Sequence, residues 1–369
     1  MNDKKTFNVP CKRTIVNLIA LSIAASTIVY SYSQQNAIAA SNDNSIVQRS
    51  WQSVRGCDNS QCINGPFIGF FLNEAQISDS ESSTVTQSVG QQIKHIEDSS
   101  AENLASNAAG INEVKDMRII QGIIQNVENL RDGSSAKNTA EQFASNFGGT
   151  NDIDNEIRQN AYQNIKNVGG ASTATNNVFH HAGPVGSNND NSIIEESSTQ
   201  HIENVDDEST ATNNAINHAH PEFDSDDNRI IDINEQKIVD INGGSTASND
   251  AENGARMFFG SDNNNYEGTN KQNIENVDDE SSVSNRAHND ARLGETGGDS
   301  DDNDVKQENK QDIKNIDDGG SAQNNADNEA NIDNDSDDND VEQTTHQEID
   351  GVDNGGDAIN SGGNSANIN

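Results

Sequence analysis

The sequence is short of what an ordinary globular domain is built from. Aromatic residues make up 4% of it and apolar residues of all kinds 30%, against roughly 45–50% in a typical folded chain. So few apolar side chains cannot offset the entropy of ordering the backbone around one wide core, which speaks against a conventional enzyme domain. Basic residues are scarce too: 22 Lys and Arg stand against 61 Asp and Glu, a net charge of −39. A field of that sign repels phosphate backbones and anionic lipid, so nucleic acid is excluded as a partner. Proline is nearly absent, with 4 residues. No G-x-S-x-G, H-E-x-x-H or Walker loop occurs, and the reading is of a protein that is not an enzyme.

What the chain has instead is asparagine, 57 residues of it. Low hydrophobicity with high net charge is the usual mark of disorder. Asparagine enrichment without proline points instead to amide ladders or polar turns.

The first forty residues have a separate character. Lys4, Lys5, Lys12 and Arg13 face one acid, Asp3, and precede an apolar run from Thr14 to Tyr32 and then Ala37-Ile38-Ala39. Basic region, apolar region and A-x-A site are the order of a secretory signal, expected to span residues 1–39 with cleavage after Ala39. An uncleaved anchor remains the other reading, because the run is near the lower length limit for a spanning helix. No second run long enough to span a bilayer follows. The mature chain would carry 60 acids and 18 bases, and its acidity is uneven: net −11 over residues 40–204 and −31 over 205–369. Cys11 leaves with the signal, so Cys57 and Cys62 are expected to close a small disulfide loop in a chain bound for an oxidising compartment.

A repeat fills the rest. The box Gln200-His201-Ile202-Glu203-Asn204-Val205 returns as Gln272-Asn273-Ile274-Glu275-Asn276-Val277, and looser copies centre on Val54, Ile93, Val127, Ile165, Ile238, Ile313 and Ile349. Successive anchors are 39, 34, 38, 37, 36, 36, 39 and 36 residues apart. Each box is followed by an alternating tract such as Ala211-Thr212-Asn213-Asn214-Ala215-Ile216-Asn217-His218-Ala219, and then by an acidic connection such as Asp299-Ser300-Asp301-Asp302-Asn303-Asp304. Alanines four apart could line a helix, whereas Ala and Asn at alternate places could line one face of a strand. The intervening Asn, Ser, Thr, Asp and Gly compete with helical hydrogen bonding and favour the strand. The expected fold is an all-β repeat array, a β-solenoid with a thin polar core. The alternative is a largely disordered chain, above all in its acidic C-terminal part. The expected organisation is a cap with the disulfide loop over residues 40–80, the array over 81–300, and acidic terminal repeats over 301–369.

The Gln boxes with N-x-A alternation resemble curlin-type repeats in their style of packing. The segment Asn42-Asp43-Asn44-Ser45-Ile46-Val47-Gln48, with Gln52-Ser53 and Asn59-Ser60-Gln61-Cys62, resembles the start of secreted Asn/Gln/Ser-rich repeat proteins of ammonia-oxidising archaea. The resemblance implies export to the cell exterior and carries no catalytic residue across.

The acidic connections are the candidate binding sites. Asp333, Asp335 and Asp337 alternate like the first ligands of a calcium loop, with shorter versions at Asp299, Asp301 and Asp224, Asp226. The sixth and twelfth places counted from Asp333 hold Asp338 and Thr344, so this is not an EF-hand. Calcium is the one cofactor such clusters suggest; loose association of divalent cations and a purely solvating face are the other readings. His180-His181 and His218-x-His220 are close pairs but occupy no repeated partner position, and read as exposed polar residues. Trp51, Phe67, Phe70 and Phe71 form the one aromatic concentration, a cap for the first coil or a docking patch.

These features point to a secreted cell-surface or matrix protein of adhesion, assembly or cation-mediated cross-linking. Its partners would be copies of itself, other surface proteins and divalent cations. The alternative is a disordered polyanion that binds divalent cations or hydrates the envelope. Intact mass spectrometry of the exported chain should show a start at Ala40 and the two-hydrogen deficit of one disulfide; a full-length mass retained with membranes would establish an anchor instead.

Overall fold

The computed structural model describes residues 15–21, 29–31, 35–40, 44–58, 61–64, 73–80, 83–114, 117–147, 152–153, 155–185, 189–190, 192–220, 227–257, 263–293, 302–332, 339–353 and 356–368. Each repeat unit folds as two strands. The box lies in a long strand, and these box strands stack side by side in one parallel sheet: Asn44–Asp58, Ser83–Glu97, Met117–Arg131, Glu156–Val168, Ile193–Val205, Arg229–Ile241, Asn265–Val277, Asp304–Ile316 and Asp340–Val352. The tract strands form a second parallel sheet facing the first: Ser100–Val114, Ser135–Phe147, Thr173–Val185, Thr210–Ala219, Thr246–Met257, Ser282–Leu293, Ser321–Ile332 and Asp357–Ile368. One unit is one coil of a β-solenoid, all-β as the sequence indicates. At about 4.8 Å per coil, nine coils rise roughly 43 Å. Shorter strands precede the array, among them Ile15–Leu21, Val29–Ser31 and Gln35–Ala40 within or across the end of the expected signal.

Register is strict. All nine anchors, from Val54 through Ile93, Val127, Ile165, Ile202, Ile238, Ile274 and Ile313 to Ile349, stand directly opposite one another along the stack. The acidic terminal repeats, for which sequence left an unfolded state open, continue both sheets in the same register through Ile368.

The apolar residues three apart in each box look helical and are not. Asn129, Asn167, Asn204, Asp240, Asn276 and Asn315 have φ between 57° and 62°, the left-handed region that short polar side chains tolerate. One such residue bends the strand, so Ile202 and Val205 both point inward despite the odd spacing. The box asparagine is therefore a corner residue on the outside. There its amide still stacks, Asn167 on Asn129 and Asn204 on Asn167, each at 2.7 Å.

Inside, large Ile and Val columns from the boxes meet small Ala columns from the tracts, and amide ladders run between these apolar layers. The box glutamines form one unbroken ladder in which each donates to the preceding coil at 2.7–2.9 Å: Gln52, Gln91, Gln125, Gln163, Gln200, Gln236, Gln272, Gln311 and Gln347. The second amide hydrogen bonds a carbonyl of the facing tract strand, as Gln200 does with Asn214 at 2.8 Å. The tract asparagines Asn103, Asn138, Asn176, Asn213, Asn249, Asn285, Asn324 and Asn360 form the matching ladder at 2.8–3.0 Å, each donating to the following coil. The corners are laddered too. The hydroxyls of Ser172, Ser209, Ser245 and Ser281 accept from the backbone N–H of the serine one coil earlier, at 3.1–3.2 Å.

Each rung contributes about 1 kcal/mol net, but leaving its buried partners unmatched costs about 1–3 kcal/mol. Gln200→Ala orphans an oxygen of Gln163 and a carbonyl of Asn214 and leaves a cavity, and should cost about 2–4 kcal/mol. Asn204→Val, a branched residue at φ 58°, should cost about 1–3 kcal/mol, and Asn204→Gly should be tolerated. Urea unfolding of the three variants checks the order.

Candidate functional site

All seven aspartates expected to bind calcium, Asp224, Asp226, Asp299, Asp301, Asp333, Asp335 and Asp337, fall in the tract-to-box connections outside the described residues, as do the side chains of Cys57 and Cys62 and the residues Phe67, Phe70 and Phe71. Trp51 is described: it stands on the outer face, 46% exposed, with its ring where a side chain on Gly90 would be.

The described acidic surface is the opposite corner, from box strand to tract strand. In Asp206-Asp207-Glu208-Ser209 the Asp206 carboxylate accepts from the Asp207 N–H at 2.9 Å, and Asp207 and Glu208 both adopt positive φ. The same turn recurs at Asp278-Asp279 and Asp317-Asp318. Backbone bonds join successive corners, for example Glu208 N–H to Gly243 carbonyl at 2.8 Å. Gly243 belongs there because it has φ +63° and a Cβ on it would lie 2.9 Å from the Asp207 nitrogen. Stacking brings ligand oxygens of Asp278, Asp279 and Asp318 within 4.8 Å of one another. Two such charges repel by about 1 kcal/mol even in water, a cost that a bound divalent cation reverses.

The outer face of the box sheet is built differently. Parallel in-register stacking sets each side chain over its counterpart, so like charges would form columns of repulsion. The column Lys94, Glu128, Lys166, Glu203 alternates in sign instead, closing Lys94–Glu128 at 2.9 Å and Lys166–Glu203 at 2.7 Å. The hydrogen bond from Lys166 holds the Glu203 carboxyl below its ordinary range, and Glu203 raises Lys166 in turn. These pairs are exposed and contribute little to stability. A groove of about 460 Å3 on this face mixes Lys237, Lys271 and Lys310 with Glu235 and Asp312.

The least ordinary chemistry is internal. A second glutamine ladder, Gln48, Gln87, Gln121 and Gln159, runs four residues before the first, at 2.8 Å per rung. In register, its next places are Glu196, Asp232 and Gly268, after which Gln307 and Gln343 resume. Glu196 and Asp232 are fully buried, and none of their four carboxyl oxygens has a hydrogen-bond partner. Tyr266 is buried too, and its hydroxyl fills the place left at Gly268, 2.5 Å from where a Cβ there would stand. Alongside, the tract asparagines Asn217, Asn253 and Asn289 turn to the box asparagines Asn234, Asn270 and Asn309 and form an interleaved zipper at 2.7–3.1 Å. The polar layer thus shifts one inward place along the box strand, and the two acids sit where it shifts.

Burial, and then repulsion by Asp232, pushes the Glu196 carboxyl well above its ordinary range. The amides of Ala182 and His218 oppose this without reaching hydrogen-bond geometry. Burial raises Asp232 as well. Burial, Asp232, Asp290 and Glu196 raise the Tyr266 phenol. Ladder polarity agrees. Gln159 donates backward to Gln121, while its own oxygen has no partner and faces the coil of Glu196. A carboxylate cannot fill that role, whereas a neutral acid supplies the missing donor. Across the core, burial lowers His180 to about 3, so it is neutral. The sequence reading of His180 as exposed is wrong: strand alternation turns it fully inward. The dyad escaped sequence reading because isolated acids look solvated. The signal was the spacing, since Glu196 and Asp232 precede Gln200 and Gln236 by the same four residues that separate Gln159 from Gln163.

Fold and surface together define a class: a parallel two-sheet β-solenoid with an amide-laddered core and acidic corners. No family model, curated protein or solved structure matches the chain.

The folded core holds two carboxyl protons that an unfolded chain releases above about pH 4, so their stabilisation is lost as pH rises, by up to about 1.4 kcal/mol per unit for each. Neutral His180 acts oppositely, losing stability as pH falls below about 6.5, where the unfolded chain takes up a proton. Above about pH 6.5 only the carboxyls act. The urea midpoint should therefore fall as pH rises above about 6.5, and Glu196→Gln with Asp232→Asn should flatten that slope. High salt separates the effect from general repulsion by the net charge.

Proposed function

We propose that the chain is exported and works at the cell surface or in the extracellular matrix as a repeat protein of adhesion, assembly and cation-mediated cross-linking, and not as an enzyme. The observation that carries this reading is the self-complementarity of the coils. Every coil offers the next the same Gln and Asn rungs, and the strands Asp340–Val352 and Asp357–Ile368 are paired on one side only among the described residues. An unpaired strand edge is a template for another chain. A second copy offers matching rungs, while divalent cations at the stacked corners relieve the repulsion that an acidic assembly creates. The basic signal-like segment and the export style of the N-terminal repeats support the location.

Sedimentation velocity of the mature chain with and without millimolar calcium tests this. End-to-end oligomers that grow with calcium are expected, and Gln347→Lys, which places a charge on the last described rung, should suppress them. A chain that stays monomeric in both conditions overturns assembly as its role.

A further inference from the structure

The tract sheet carries a histidine cluster that its period creates. His181 and His218 are 37 residues apart, one repeat, and lie directly opposite each other in adjacent tract strands. His220 follows two residues after His218 and its N–H bonds the Ala182 carbonyl at 2.8 Å, continuing the ladder. Alternation that sends His180 inward sends His181 outward, and all three imidazoles therefore share one outer face. Ring centres are 5.2 Å apart for His181 and His220 and 5.8 Å for His218 and His220. Phe143 and Phe179 wall one side, the latter stacked on His181. Gly254 leaves room for the His218 ring, which lies 3.1 Å from where a Cβ would stand.

We propose that His181, His218 and His220 form a site for a borderline divalent transition-metal ion such as Zn2+. With a metal–nitrogen distance near 2.1 Å and the ring centre about 1.1 Å beyond the nitrogen, tetrahedral angles place two ligating rings about 5 Å apart. Two of the three ring separations are near that spacing, while the ring nitrogens lie further apart than a closed site requires, so a bound ion would have to draw the half-buried rings together by side-chain rotation. Glu252 is the positioning partner. Its Oε1 lies 3.2 Å from His218 Nε2, the outer hydrogen bond that orients a ligating histidine and leaves Nδ1 for the metal. The neighbouring charges are Glu252, which His288 and Arg286 also face, and Arg256, which opposes a cation at His220. Burial lowers His181, and burial with the neighbouring histidines lowers His220 to about 4, so both are neutral and able to ligate at neutral pH. Imidazole donors favour zinc, copper, nickel or cobalt over calcium, which separates this site from the acidic corners.

Cobalt titration of the untagged full-length mature chain tests the site through visible absorption. One Co2+ per chain with an intense tetrahedral band, displaced by Zn2+, is expected. His220→Gln should weaken binding at least ~tenfold, and the triple variant with His181→Gln and His218→Gln should lose the band. His95→Gln, at the end of a strand in the other sheet, should change nothing. Circular dichroism establishes that the variants remain folded. No cobalt binding at ~100 µM, or a weak octahedral spectrum that the triple variant retains, overturns the proposal and assigns any binding to the acidic corners.

Discussion

The amide-to-amide hydrogen bond between the same residue in successive coils is the interaction on which everything else depends. It works because parallel, in-register strands bring identical side chains to one spacing, and because an amide is both donor and acceptor. Gln200 satisfies Gln163 and is satisfied by Gln236, with a second hydrogen left for the facing strand. A chain with few apolar residues can fold this way because its core is shared between thin aliphatic columns and buried amides that bond one another along the ladders. The same rule makes departures conspicuous. Where Glu196 and Asp232 enter a glutamine column, the column demands a donor, and a proton has to supply it.

Length variation follows from the ladders as well. From each box anchor to the first tract residue the chain takes nine residues in most coils, as from Ile202 to Ala211 and from Ile274 to Val283. The corner varies by no more than one residue because its serine and backbone bonds are rungs themselves. The 34-to-39-residue spread in the repeat is taken up almost wholly in the return from tract to box, which is also where the sequence places its alternating aspartates.

Much of this was legible in the residues. The nine repeated box anchors are the nine that stack, and the Ala-x-Asn alternation reads correctly as a strand because its fillers are poor helix formers. Two features were hidden for physical reasons. The Ile202-to-Val205 spacing is indistinguishable from a helical stripe until Asn204 is known to have positive φ, and single-residue conformation leaves no periodic trace. The histidines look scattered along the chain because the partner of His181 lies one repeat away and not beside it in sequence. Once His181 is set over His218 the cluster is a consequence of arithmetic.

The two principal ladders point in opposite directions along the stack, glutamines donating toward the first coil and asparagines toward the last. The stack therefore has a head and a tail that are chemically different, and turning one copy around reverses both donor patterns at once. Copies joined end to end with both ladders continued in parallel register would follow one another, a heterologous contact that builds an open filament with no two-fold axis across the joint. Such a filament has a direction along its length, and each end of it presents one distinct chemistry to whatever it meets.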